Sequence, residues 1–276
     1  MAVQLCCSPQ PQPQPPFNLC FSATQYPLFV NSPQSQRRLY SQRGLLMIRA
    51  SQLQTLKIEK SSLNICEAVS DSQLWAASAL RVRSFYDFKP NSFAIQDHKK
   101  YLAEREFEAL KERIAGKRLG FKRVSCIIAT LPVSQISSIS EDLSTACKIS
   151  PCDEDRVVVA SLDLNQCIRL PDELTGMKPE GAKADHARAY ISNVCVAEEL
   201  YRNGLGYSLV TESKRVAEDW GISDLYVHVA FDNEAAKNLY IKTGFVHEND
   251  EPAWQARFLD RPRRILLWSD LSKDYV

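Results

Sequence analysis

Ile191-Ser192-Asn193-Val194-Cys195-Val196 opens the stretch that decides the fold, and it reads as an apolar strand. A turn follows, Arg202-Asn203-Gly204-Leu205-Gly206-Tyr207, and then an amphipathic helix ending at Trp220-Gly221. Leu225-Tyr226-Val227-His228-Val229 is the next strand. Asn233-Glu234-Ala235-Ala236-Lys237-Asn238-Leu239-Tyr240 is a capped helix, stopped at Gly244. A strand feeding a glycine turn that opens a helix suits an anion. The first N–H groups of a helix have no partner inside it, and the dipole makes that end positive. Gly204 and Gly206 lack a Cβ, so the backbone can approach a bound group closely. Arg202 at that end is unfavourable by roughly 0.3–1 kcal/mol unless an anionic ligand lies between. A tyrosine two turns into the following helix is a place to hand over a proton. Together the two features suggest acyl transfer from a nucleotide-bearing thioester.

A lone Gly-x-Gly is a weak signal. The dinucleotide fingerprint needs a third glycine where this chain has Leu209, and the Gly-Lys-Ser/Thr of the ATP-binding P-loop is missing. The order of the blocks carries more. The segment resembles the GNAT N-acetyltransferase superfamily, in which a strand ending in Val precedes an Arg/Gln-x-x-Gly-x-Gly/Ala turn. Val196, Gly204 and Gly206 fit that pattern. An Asn-x-x-Ala-x-x-x-Tyr run followed by Gly-Phe is matched by Asn233, Ala236, Tyr240, Gly244 and Phe245. The family's leading Arg/Gln falls on Tyr201, with Arg202 one place later. The resemblance is specific over about residues 189–247 and topological elsewhere.

The resemblance implies an α/β (α+β) acyl-CoA N-acyltransferase fold over residues 61–274. That fold is a mixed, mostly antiparallel sheet flanked by helices and splayed between its fourth and fifth strands. Acetyl-CoA would lie in the opening as co-substrate, with no metal. Backbone groups of Val194, Cys195 and Val196 would pair with the pantetheine arm. Arg202, Asn203, Gly204, Leu205, Gly206 and Tyr207 would hold the pyrophosphate, and Asn233, Glu234 and Ala235 would begin the next helix beside the cofactor. Tyr240, on the order of 10 Å down that helix from Asn233, would protonate the departing thiolate; the alternative is a core tyrosine packed against Leu239 and Phe245. A hydroxyl of pKa ~10 can donate to a thiolate whose acid has a pKa of ~8.5 once transfer is under way.

No general base stands out. His228, Glu198 and Asp163 are candidates, and His186 and His247 weaker ones. A lysine amine titrates near 10.4 and a protein α-amine near 7.7–8.0. The gap of about 2.5 units corresponds to ~3.4 kcal/mol of deprotonation, so an α-amine is the easier acceptor for a weak base. On the acceptor side, Glu248 to Arg264 is longer than a hairpin needs. It carries Trp254, Arg257, Phe258, Arg261 and Arg263, and could close over a peptide, form a dimer contact or be a solvated insertion.

Elsewhere, Leu63 to Val69 reads as a first strand. Asp71 or Ser72 can cap a helix from Gln73 to about Tyr86. A charged helix runs from Asp97 to about Lys117, with Tyr101, Phe107, Leu110 and Ile114 as its apolar stripe. Val124 to Leu131 and Val157 to Leu164 are strands, with a polar loop insertion from Ser134 to Asp153 between them. Phe245-Val246-His247 and Ile265-Leu266-Leu267-Trp268 close the sheet.

Residues 1–50 stand apart. No Asp or Glu precedes Glu59, and the segment holds Arg37, Arg38, Arg43 and Arg49, several serines and a Pro-Gln tract. This is the composition of an organelle transit peptide, and the lack of arginine before Arg37 favours a plastid, with cleavage near Ala50. The alternative is a disordered Pro-rich arm or a ligand for a Pro-binding module. The 34 basic residues less these four leave 30 against 33 acidic, about −3, which gives no reason to expect nucleic-acid or anionic-membrane binding. No run approaches the ~18 apolar residues of a membrane span. Of nine cysteines, Cys6, Cys7 and Cys20 lie in this segment, and the remaining six show no C-x-x-C pairing; buried thiols are the simpler reading than zinc. Length and plastid targeting resemble the plant plastid GNAT enzymes that acetylate protein N-termini and lysines. The rival readings are a small-amine acetyltransferase, acting on an arylalkylamine or polyamine, and an inert GNAT-fold binding module.

Overall fold

The computed structural model describes residues 57–88, 94–118, 120–136, 139–150, 154–167 and 187–272. The transit-type segment and His186 lie outside them. β1 (Asn64–Glu67) leads into α1 (Asp71–Phe85) and α2 (Ile95–Ile114). β2 (Phe121–Pro132), two short helices α3 (Val133–Ile136) and α4 (Glu141–Ala146), and β3 (Lys148–Ile149) follow. Then come β4 (Arg156–Cys167), β5 (Arg188–Val196), α5 (Leu205–Asp219), β6 (Asp224–Ala230) and α6 (Glu234–Lys242). β7 (Val246–Asp250), α7 (Ala253–Phe258) and β8 (Arg264–Asp270) complete the chain.

The sheet runs β1-β2-β4-β5-β6-β8-β7, antiparallel throughout except for the parallel β5–β6 pair, and β3 pairs with β4 past the end of β5. α1 packs on β4 and β5 from one face; α5 packs on β2, β4 and β5 from the other. The mixed, flanked sheet agrees with the fold expected. Because β3 intervenes, the splayed pair is the fifth and sixth strand.

Several local readings change. Ser70, not Asp71 or Ser72, caps α1: its Oγ accepts from the Gln73 N–H at 3.2 Å and its own N–H donates to Gln73 Oε1 at 3.0 Å. Such a reciprocal box satisfies two helix-end donors at once. The loop expected over Ser134 to Asp153 contains α3, α4 and β3. Its hydroxyls mask apolar anchors, since Ile136, Leu143, Cys147 and Ile149 are buried, and Ser140 caps α4. On α2 the stripe is narrower than expected. Ala103 and Leu110 are buried, whereas Tyr101 is exposed with the Arg105 guanidinium over its ring.

Candidate active site

β5 and β6 pair only over Arg188–Ile191 and Asp224–Val227. Beyond that, β5 runs on to Val196 held by β4, and β6 to Ala230 held by β8. The two strands therefore diverge as a wedge, with its apex at Ile191 and Val227. Among the described residues, the edge of Ser192 to Val196 that faces β6 has no ladder partner there, which is what an extended ligand needs in order to pair as an added strand. Val194 and Val196 are half-buried and Cys195 is buried, its Sγ 3.3 Å from Ser161 Oγ.

A bulge shapes this edge. Asp163 pairs with Ser192 and Ser161 with Cys195, so Asn193 and Val194 together oppose Leu162. Asn193 adopts φ +53°, a conformation asparagine tolerates better than most residues. Its Nδ2 donates to Asp163 Oδ2 at 2.8 Å. Asp163 is fully buried and also binds Arg81 Nη2 at 2.5 Å and Arg113 Nη2 at 3.1 Å. Burial by itself would raise its pKa, but the two guanidiniums outweigh this and hold it below the usual carboxylate range. A carboxylate so committed is no general base, and Asp163 leaves the candidates.

The turn after β5 is fixed from three sides. Arg83 on α1 grips Glu199 in the preceding 3-10 turn at 2.7 and 3.1 Å and Asp142 on α4 at 2.8 Å. Asn203 Nδ2 donates to the Leu200 and Tyr201 carbonyls at 3.2 and 3.4 Å, while its Oδ1 accepts from the Ile58 N–H at 3.3 Å. The Asn203 side chain thus builds the turn, leaving its backbone to face a ligand. Gly204 sits at φ +83° with open space where a Cβ would be, and it caps α5 without any side-chain hydrogen bond. The helix N-terminus is accordingly open to an anion. Gly206 has a second reason: a Cβ there would lie 3.1 Å from Leu239 Cδ2, so this glycine also lets α5 and α6 close together. Leu205 is buried in the core, Tyr207 is half-exposed, and Arg202 is exposed at φ +68°.

On α6, Asn233 Oδ1 accepts from the Ala236 N–H at 3.0 Å as the N-cap, Glu234 pairs with Lys237, and Ala235 is exposed. Tyr240 is 4% exposed and packs edge-to-face on Phe245 with centroids 5.4 Å apart. Burial, with Tyr190 adding to it, pushes its pKa above the usual tyrosine value. The hydroxyl stays protonated across the physiological range, as a proton donor must.

Two of the remaining base candidates are peripheral: Glu198 is exposed in the 3-10 turn, and His247 is exposed and bonds Asp250 at 2.8 Å. His228 is different. It is the first residue of β6 beyond the apex, and its Nδ1 lies 3.1 Å from Tyr190 Oη. Tyr190 was not singled out from the sequence. The segment between β7 and β8 is a built element rather than a floppy loop. Glu251 gathers Arg261 and Arg264, Arg263 Nε donates to the Glu251 carbonyl at 2.7 Å, and α7 presents Trp254 and Phe258, 65% and 81% exposed. Among the described residues there is no group of three metal-ligating side chains.

The profile described as the Acetyltransferase (GNAT) family matches residues 146–245. GCN5-related N-acetyltransferase 7, chloroplastic, of Arabidopsis thaliana is 65% identical over 211 residues, 76% of this chain and 77% of that one. The chain belongs to the GNAT acetyltransferase family. A second Arabidopsis GNAT, GCN5-related N-acetyltransferase 6, chloroplastic, is 29% identical over 65% of this chain and 60% of its own. The plastid location expected for this GNAT agrees with both names. A crystal structure of PaiA N-acetyltransferase from Thermoplasma acidophilum in complex with coenzyme A is 12% identical, with a TM-score of 0.44 over 76% of this chain and 99% of that one.

Proposed function

We propose that this GNAT transfers the acetyl group of acetyl-CoA to the N-terminal α-amines, lysine ε-amines or both of plastid proteins, after residues 1–50 have served as a transit peptide. The observation that carries the transfer reading is the wedge itself. An unpaired strand edge, Ser192 to Val196, runs straight into an uncapped helix N-terminus at Gly204, so one extended ligand ending in phosphates can satisfy both. The residues present fit that ligand. Backbone groups of Val194 to Val196 would pair with its arm, and the N–H groups opening α5 would take its pyrophosphate with Arg202 alongside. Tyr240 would donate its proton to the departing sulfur, and Asn233 would fix the start of the helix that carries it.

A polypeptide acceptor is favoured by α7. Its exposed Trp254 and Phe258 stand one turn apart on an element held rigid by Glu251 and its arginines. Aromatic groups on an open ledge suit an extended chain better than a small enclosed amine. Residues 51–276 incubated with acetyl-CoA, a peptide library and a panel of small amines, with products read by mass spectrometry, would decide it. Acetylated peptides are expected. Products from arylalkylamines or polyamines alone would replace the protein reading with the small-amine one, and acetyl-CoA binding without any product would leave an inert module.

A further inference from the structure

On the sheet face that carries α1, an open groove of about 230 Å³ lies between α1, α2 and α4. Two helical stripes face each other across it. α1 contributes Trp75, Ala79, Val82 and Arg83; α2 contributes Gln96, Lys99, Lys100 and Ala103. Residues three and four apart share a helix face, and such facing stripes ordinarily close on each other through large apolar side chains. Farther along they do so, where Trp75 and Phe107 pack edge-to-face with centroids 5.7 Å apart. At the groove they do not. Ala79, Ala103 and Ala146 on α4 are too short to meet, and the first turns of α2 present an amide and two ammonium groups.

The charge around the groove does not balance. Arg83, Lys99 and Lys100 line it with a single carboxylate, Asp142. Arg83 Nε already donates to Asp142 at 2.8 Å; this bond, with the charge of Lys99 nearby, holds Asp142 below the usual carboxylate range. Lys99 and Lys100 have no ion pair among the described residues. Lys99 is half-buried, with its Nζ 5.5 Å from the centre of the Phe88 ring. An ammonium that is half out of water and leans on a ring rather than a carboxylate is unmatched charge.

Arg83 also reaches out of the groove toward the ligand turn. It holds Glu199, whose neighbour Leu200 accepts from Asn203 Nδ2, one residue before Gly204. Ile191 and Val196 are separated by roughly 17 Å of strand, so Arg83 meets this turn well away from the apex of the wedge. Asp142, Glu199 and Ser140 together take four of its donor bonds, and a guanidinium has five N–H groups.

We propose that the groove binds a small organic anion, a carboxylate carried on one aromatic ring, and that its occupancy loosens the turn that takes acetyl-CoA. The effector half rests on the acetyl-transfer reading above; the binding half does not. At the packing density of a protein interior the groove takes roughly ten non-hydrogen atoms, the size of a ring with a short acidic arm. The ring lies on Trp75, Val82 and the three alanines, and the carboxylate meets Lys99, Lys100 and Arg83. A carboxylate docked side-on uses two guanidinium donors, so it draws at least one from the present partners of Arg83, and the grip on Glu199 weakens.

The test uses the full chain with benzoate and 3-phenylpropionate as probes, at constant ionic strength. Calorimetry should show one molecule of acid bound per chain at millimolar concentration or below, with the matching neutral amides at least tenfold weaker. With the acid saturating, acetyl-CoA affinity should fall about fivefold or more, and the acid should bind the acetyl-CoA complex more weakly by the same factor. Lys99→Met with Lys100→Met should weaken the acid more than tenfold and leave acetyl-CoA affinity without probe unchanged. Ala103→Leu, which fills the groove, should do the same. Absent binding of both acids, equal binding of acid and amide, or binding that ignores the lysine variant would overturn the site. Acid binding with acetyl-CoA affinity unchanged would overturn the effector role. A chain that binds the acids but never acetyl-CoA would overturn the acetyl-transfer reading, and the effector role with it, while supporting the site.

Discussion

On the proposed reading, Gly204 and Tyr240 are the two residues whose replacement should separate binding from chemistry. Gly204 lies in the left-handed region at φ +83°, where any side chain is strained, so Gly204→Asp should lower the stability of α5 modestly, less than a β-branched residue would. Its carboxylate would stand where the pyrophosphate belongs. Acetyl-CoA affinity measured by calorimetry should fall well beyond tenfold with the fold retained; unchanged affinity in a folded variant would remove the turn from the site. Tyr240→Phe should lower kcat by about 10²–10⁴ and leave acetyl-CoA binding intact, with a smaller loss for acetyl donors whose thiol is more acidic. Because burial raises its pKa, the wild-type profile should show no alkaline limb from this tyrosine up to about pH 10. A lowered Tm with full activity would make Tyr240 a packing residue. The placement of both, at the start of α5 and on α6, was legible in the sequence, since glycine in a helix-opening turn and tyrosine at helical spacing from an N-cap are local features. The contact of Tyr190 with His228 was not, because it joins residues 38 positions apart.

At the scale of elements, the bulge in β5 is what directs the strand away from β6, and Asp163 holds it. Asp163→Ala would leave Arg81 and Arg113 uncompensated, and Arg81 already has Nε and Nη1 buried without partners. Removing one member of such a buried set costs about 3–5 kcal/mol, which should appear as a lower Tm. The carboxyl is held below its unfolded value of ~3.9. Its contribution is therefore fully present above about pH 4 and lost as pH falls through the depressed value. Wild-type stability should drop on acidification below pH 4 more steeply than that of Asp163→Asn. None of this was visible beforehand. Alternation tells which face a residue occupies, not where pairing stops, and Asp163 looked like a free acid on a strand. α3, α4 and β3 were missed for a related reason: their four buried anchors are spread over three short elements, so neither a period of 2 nor one of 3.6 is sustained.

Across the whole molecule, the strand–helix–strand–helix core was readable because each segment is long enough for its period to show. The start of the chain was not. Ile58 lies next to the expected transit segment, yet its N–H donates to Asn203 Oδ1, 145 positions away in the turn that opens α5, while Arg156 Nη2 anchors the Ser62 carbonyl at 2.6 Å. The strip from Ile58 to Ser62 is thus tied by its own backbone to the turn proposed to hold the ligand at one end and to β4 at the other. Coupling of this kind is reciprocal: whatever steadies the turn must steady the strip by the same free energy. Filling the wedge should therefore slow amide exchange at Ile58 and shield the mature end from aminopeptidases. Trimming to Leu63 should in turn weaken acetyl-CoA measurably, and an affinity indifferent to that trimming would show the clasp to be passive. If residues 1–50 are removed as proposed, the place of the cut becomes a functional parameter, because a cut a dozen residues deeper would remove the clasp on the turn proposed to hold the donor.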